Sequence, residues 1–171
     1  MQSPAEVSRD EVAALYVRSC PRLIGVLASM GGSCAEAEDV AQDAYVRLLQ
    51  HWSKVRSYDD PEAWVRGVAV RLLISRHRRA KVARLGLDRL RGEAKESQPD
   101  VLVDGVAISA ALRSLPVSQR AVVVLHHVLD LPVGQVAEEL QVPVGTVKSR
   151  LSRGRAALVA LLYDPEEALN V

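Results

Sequence analysis

The stretch Leu131–Arg155 constrains the fold more than any other part of the chain. Val136, Ala137 and Leu140 recur at helical spacing, and Val147 and Leu151 repeat at i and i+4 further on. Gln141-Val142-Pro143 lies between them, too short for anything but a tight turn, and its Pro forces a new helix to start. Ala137 is small where two helices must cross closely. Two short helices hinged in this way form a helix-turn-helix, whose second helix can enter the DNA major groove. With Val147 and Leu151 turned inward, Gly145, Thr146, Ser149, Ser152 and Arg153 turn outward, flanked by Lys148, Arg150 and Arg155. No acid occurs between Glu139 and Asp164, so a solvated basic face is the plainer reading of this helix and a phosphate- and base-reading face the sharper one.

The rest of this half reads as helices too. Leu115-Pro116, Leu131-Pro132 and Val142-Pro143 divide it into Val106–Ser114, Pro116–Val128, Val133–Leu140 and Val144–Leu162, with a short acidic tail, Tyr163–Val171.

The first half predicts three helices. Ser8 to Glu11 and Ser33 to Glu36 each have the spacing of a capping box. The first helix carries Val12, Leu15, Tyr16, Leu23, Val26 and Leu27, with a bend or break at Pro21, and ends at Met30-Gly31-Gly32. The second, reaching about Gln50, carries Ala37, Val40, Ala44 and Leu48, with Glu36, Glu38, Asp39 and Asp43 in its first turns. A loop over His51–Asp60 precedes a third helix, capped by Asp60-Pro61 and running to about Lys81. From Ala63 to Leu87 there is no acid. Arg66, Arg71, Arg76, Arg78, Arg79, Lys81 and Arg84 lie opposite an apolar side of Trp64, Val65, Val68, Ala69 and Leu72. An anionic membrane surface would also attract such a helix, but its apolar side is needed to close a three-helix core, which favours nucleic acid.

The fold class expected is therefore all-α. Two small helical domains, a three-helix bundle over residues 1–85 and a four-helix helix-turn-helix domain over 106–171, are joined by a flexible linker over 86–105. Aromatics at 4% with no Phe leave Leu, Val and Ala to build the cores, which suits helices. The net charge of +1 conceals strong local asymmetry. Met1–Glu6 lacks the basic and apolar regions of a signal peptide, and the longest apolar runs, Ala121–Leu125 and Ala156–Leu162, fall short of a membrane span, so a cytoplasmic protein without membrane insertion is expected. Cys20 and Cys34 read as two small buried residues or, more sharply, as a redox pair. His51, His77, His126 and His127 are scattered, with no metal spacing, phosphate loop or catalytic constellation, so neither an enzyme nor a cofactor is expected. His126-His127 reads as structural.

In this order the blocks resemble the extracytoplasmic-function (ECF) group of sigma-70 family sigma factors over nearly the whole chain. Glu36-Ala37-Glu38-Asp39-Val40-Ala41-Gln42-Asp43 is similar to region 2.2, and Pro61-Glu62-Ala63-Trp64-Val65 through Arg78-Arg79 to regions 2.3 and 2.4. Leu115–Val122 is similar to region 4.1, and Val136–Leu140 with Gly145–Leu151 to region 4.2. The resemblance implies an RNA polymerase specificity subunit that recognises −35 and −10 promoter elements and promotes melting. Glu38, Asp39, Gln42 and Asp43 would dock on the β′ coiled coil of core RNA polymerase. Thr146, Lys148, Ser149, Arg150 and Arg153 would read the −35 element. Trp52, Tyr58, Arg66, Arg71 and Arg78 would serve the −10 element, Trp52 and Tyr58 as stacking platforms for a flipped base, unless either is core. The second domain would also meet the β flap, and an anti-sigma factor is a further partner class. Leu72 and Ser75 stand where family members often carry Asn and Asp, so the −10 preference of other members does not transfer. A stand-alone helix-turn-helix regulator and a protein-binding adaptor are the competing function classes.

Overall fold

The computed structural model describes residues 4–31, 33–91 and 106–162, and the linker beyond residue 91 and the acidic tail lie outside them. All elements among the described residues are helical, and the chain divides into two compact units, Met1–Pro99 and Asp100–Val171.

In the first unit, α1 (Pro4–Gly31), α2 (Cys34–Val55) and α3 (Pro61–Arg91) pack around one core. The cross-helix contacts give the directions. Glu11 meets Trp52 and Ser19 meets Tyr45, so α1 and α2 are antiparallel. Glu36 meets His77 and His51 meets Trp64, so α2 and α3 are antiparallel as well. The core holds Val12, Leu15, Leu23, Leu27 and Met30 of α1, Ala37, Val40, Ala44 and Leu48 of α2, and Val65, Val68, Ala69, Val70 and Leu73 of α3. Apart from Val70, Leu73 and Met30, these are residues that helical spacing selects. Trp64 and Leu72 are only half-buried.

Four local expectations are corrected. Ser8 is not an N-cap: α1 starts at Pro4 and runs through Pro21 without a break. Proline removes one N–H and crowds one carbonyl, which a long, well-packed helix absorbs. Second, α2 does not stop at Gln50 but continues to Val55, because Trp52 and Val55 complete its buried stripe. Third, α3 passes Lys81 and Gly86 to Arg91, with residues 78–86 exposed, so helix propensity rather than packing carries it, and the expected linker begins later than Gly86. Fourth, Cys20 is buried but Cys34, in the first turn of α2, is exposed. Two caps do form: Ser33 accepts from the Glu36 N–H at 3.1 Å and Asp60 from the Ala63 N–H at 3.0 Å. By length and composition alone α1 over Glu6–Gly31 would pass as a membrane span, contrary to the reading of apolar runs; many of those apolar residues line the bundle core.

The second unit comprises α4 (Val106–Ser114), α5 (Val117–Val123), α6 (Val133–Leu140) and α7 (Val144–Leu162). The expected single helix Pro116–Val128 changes pitch: Val124–Val128 form a π turn, with the Leu129 N–H reaching the Val124 carbonyl at 3.1 Å. His126 Nδ1–H donates to the Leu131 carbonyl at 2.7 Å and locks the following bend, where Asp130 sits at φ 55°. Buried Arg120 donates to the carbonyls of Arg113 and Leu115 at 2.7 and 2.9 Å, closing the C-terminal end of α4. Its desolvation, with Arg113 nearby, lowers its pKa from the ordinary arginine value.

Candidate nucleic-acid interface

The helix-turn-helix is α6 and α7. Val136, Ala137, Leu140, Val147 and Leu151 are all buried, as their spacing requires. The turn is set by Gln141 in the left-handed region at φ 54°, after which the Val142 N–H bonds back to the Ala137 carbonyl at 3.0 Å. This is a Schellman-type ending without the usual glycine. The Pro143 carbonyl then accepts from the Thr146 and Val147 N–H groups and starts α7. Gly154 fixes how closely α7 lies on α5: a Cβ there would sit 2.8 Å from Val123 Cγ2.

With that side fixed inward, Gly145, Lys148, Ser149, Ser152, Arg153 and Arg155 are exposed, and Thr146 and Arg150 half-exposed. Ser149 Oγ–H donates to the Thr146 carbonyl at 3.0 Å, and the Arg153 guanidinium folds onto the Ser149 carbonyl and hydroxyl at 3.3 and 3.4 Å. Small, polar and cationic groups thus line the exposed part of α7, close to the positive end of its dipole. Of the five −35 residues named from the sequence, Thr146, Ser149 and Arg153 share the outward side, and Lys148 and Arg150 lie on its opposite flanks.

In the first unit the predicted residues divide. Glu38, Asp39 and Gln42 project from α2 into solvent, whereas Asp43 accepts from Arg76 at 2.6 Å and tethers α2 to α3. Beside Gln42 lies an apolar groove of about 530 Å³, lined by Arg9, Val12, Ala13, Tyr16 and Val17 of α1 and by Gln42, Tyr45, Val46 and Leu49 of α2. The sequence reading missed this strip. Its signal is the exposed pair Val46 and Leu49 at i and i+3, apolar residues outside the buried stripe of the same helix. On its floor Tyr45 is held by Ser19 at 2.6 Å and by an edge contact with Tyr16 at 4.9 Å; burial raises the Tyr45 pKa above 10.0.

Of the five −10 candidates, Trp52 is displaced. It sits in α2 rather than in a loop, is 8% exposed, and donates its indole N–H to Glu11 Oε2 at 2.6 Å. Trp52 is therefore core, and the base-stacking role is withdrawn: a stacking platform needs an open face. The loop shrinks to Arg56–Asp60, where Tyr58 is 39% exposed. Arg66 and Arg71 are half-buried on α3, and Arg78 is exposed on its projecting end. Glu11 was assigned to a cap by local spacing. Only the need of a buried indole N–H for an acceptor hints at its true partner. Among the described residues no group of three or more His, Cys, Asp or Glu is placed to hold a metal.

Sigma-70 region 2 matches residues 15–82 and sigma-70 region 4 matches residues 105–158. The chain is 32% identical to the ECF RNA polymerase sigma factor SigW of Bacillus subtilis over 79% of this chain and 80% of the relative. It is 32% identical to the ECF RNA polymerase sigma factor SigL of Mycobacterium tuberculosis, over 91% and 86%. Its fold is similar to that of the sigma factor RpoE of Bartonella quintana, solved with the anti-sigma factor NepR (TM-score 0.64, 24% identity, 89% and 96% covered). With two sigma-70 regions in order and relatives matched over most of their length, this chain belongs to the ECF group of the sigma-70 family of RNA polymerase sigma factors.

Proposed function

We propose that this sigma factor directs core RNA polymerase to promoters through three separate surfaces. The α7 face of Thr146, Lys148, Ser149, Arg150 and Arg153 reads the −35 element. Arg66, Arg71 and Arg78 of α3 hold the −10 DNA, and the Arg56–Asp60 loop, with Tyr58, receives a flipped non-template base as the strands open. The α2 face of Glu38, Asp39, Gln42 and Asp43 docks on the β′ coiled coil, with the adjoining apolar groove supplying buried area that charges alone do not. The second unit contacts the β flap. The first and second units act as separate DNA grips joined by the chain between Arg91 and Val106, and two weak grips on one tether reinforce each other. The polymerase performs the chemistry, so the chain needs no catalytic residue or cofactor of its own, and it works in the cytoplasm. An anti-sigma factor is a proposed partner, as in the Bartonella quintana complex.

The observation that carries this reading is that α7 buries Val147 and Leu151 on one side and exposes Lys148, Ser149, Ser152, Arg153 and Arg155, with no acid along it. A stand-alone repressor would leave the α2 acids and the groove beside them without a role. Run-off transcription with core polymerase tests the proposal, using a promoter mapped from transcripts enriched on expression of this chain. A cognate transcript is expected. Glu38→Lys with Asp39→Lys should abolish assembly with core while leaving the fold intact, and absence of any sigma-dependent transcript sinks the reading.

A further inference from the structure

The Arg56–Asp60 loop is short, exposed and internally modest in its bonding: Ser57 and Tyr58 N–H groups close onto Lys54 and Val55 at 3.3 and 3.0 Å. Besides the Ser57 hydroxyl on the Lys54 carbonyl at 2.8 Å and the Asp60 cap on Ala63 at 3.0 Å, its two ends are held from α1. At the leading end, Glu11 accepts from the Trp52 indole at 2.6 Å and pairs with Arg56 at 3.4 Å. At the trailing end, Arg18 donates to Glu62, in the first turn of α3, at 3.0 Å. Glu11 and Arg18 are two helical turns apart on one side of α1, about 10.5 Å along its axis. So α1 grips the chain immediately before and immediately after the loop with opposite charges.

We infer that Glu11 and Arg18 are positioning residues that fix the span of this loop and so preset Tyr58 to receive an unstacked base. The inference rests on the base-capture reading above. Global stability explains the Glu11 bond to Trp52 in part, but not the two ion pairs. Arg18 and Arg56 are 67% and 51% exposed at their side chains, and exposed ion pairs contribute little to folding free energy. Their effect is on local geometry, because a receiving site displaced by about an ångström loses much of its advantage. Glu11 carries the larger share, since it serves the mostly buried Trp52 indole as well as Arg56.

The test uses holoenzyme assembled from core polymerase and this chain. The probe is a fluorescent single-stranded oligonucleotide carrying the non-template −10 segment of a mapped promoter. Glu11→Ala combined with Arg18→Ala should weaken binding about tenfold, the size of losing one base–aromatic stack. Assembly with core and binding of a −35 duplex should stay unchanged. Glu11→Gln keeps an acceptor for Trp52 and should be milder, which also covers the case in which the double variant misfolds. Arg18→Glu should weaken binding at an unchanged thermal midpoint, and Arg18→Glu with Glu62→Arg should restore it, whereas a purely structural role would move the midpoint together with the binding. If the unaltered holoenzyme binds the strand and the folded variants bind it equally well, the positioning role is wrong. If the unaltered holoenzyme does not bind it, the base-capture reading itself falls and takes this inference with it.

Discussion

Gly154→Ala is expected to loosen the second unit, although alanine is the better helix former. The added Cβ would lie 2.8 Å from Val123 Cγ2, about 0.6 Å short of the 3.4 Å at which ordinary contact begins. Val123 is buried and β-branched, with one favoured rotamer in a helix, so the methyl does not swing aside. Leu115 Cδ1 and Gln119 Cβ would also lie 3.8 and 3.9 Å from the added Cβ. Relief therefore requires α7 to move off α5 as a body. Overpacking of this kind costs about 1–3 kcal/mol, and the propensity gain of alanine returns about 1 kcal/mol. The net loss is about 1 kcal/mol, a roughly fivefold rise in the open population. Gly145→Ala, on the same helix with nothing within 4 Å, should lose nothing and gain a few tenths of a kcal/mol. Amide hydrogen exchange in α5 and α7 reads the difference. Both tryptophans, Trp52 and Trp64, lie in the first unit, so their fluorescence serves as an internal control that neither substitution moves. Equal or greater protection in Gly154→Ala would refute the close-approach argument.

Three further outcomes follow from the same geometry. Arg120→Ala should destabilise the second unit by about 2–3 kcal/mol, because it strips charged donors from the Arg113 and Leu115 carbonyls; a thermal melt followed by α4 exchange checks it, and an unchanged midpoint rejects it. Gln141→Gly should stabilise the helix-turn-helix by about 0.5–1 kcal/mol in urea unfolding, since glycine adopts φ 54° without the side-chain penalty, and a loss would mean the glutamine side chain matters more than its backbone. The His127 pKa is lowered from 6.5 by partial desolvation of a ring that is still largely exposed, then by His126 and Arg155. A base with a depressed folded value binds fewer protons folded than unfolded. Its contribution to stability is therefore intact above pH 6.5 and falls as the pH drops through the window below it. An NMR titration should place its midpoint below 6.5, moving up in Arg155→Ala; a midpoint at or above 6.5 contradicts the assignment.

Period and punctuation made much of this protein legible from its residues alone. An all-helical chain, three of the four second-half helices at the observed bounds, and the buried set Val136, Ala137, Leu140, Val147 and Leu151 all follow from 3.6-residue spacing and from where proline forbids continuation. The caps at Ser33 and Asp60 follow from local chemistry for the same reason: the bonds involved span three residues. The outward face of α7 follows by subtraction. What the sequence could not supply were the partners far along the chain. Glu11 fits a local cap and instead serves Trp52, while Asp43, an exposed acid, also pairs with Arg76. Trp52 leaves the loop for the core because α1 offers its indole an acceptor. The groove between α1 and α2 exists only once two stripes of different helices lie side by side. A helix's own hydrogen bonds close within four residues, so the sequence can announce them. Side-chain partners are chosen by packing, where a buried donor takes whichever acceptor the fold brings within about 3 Å.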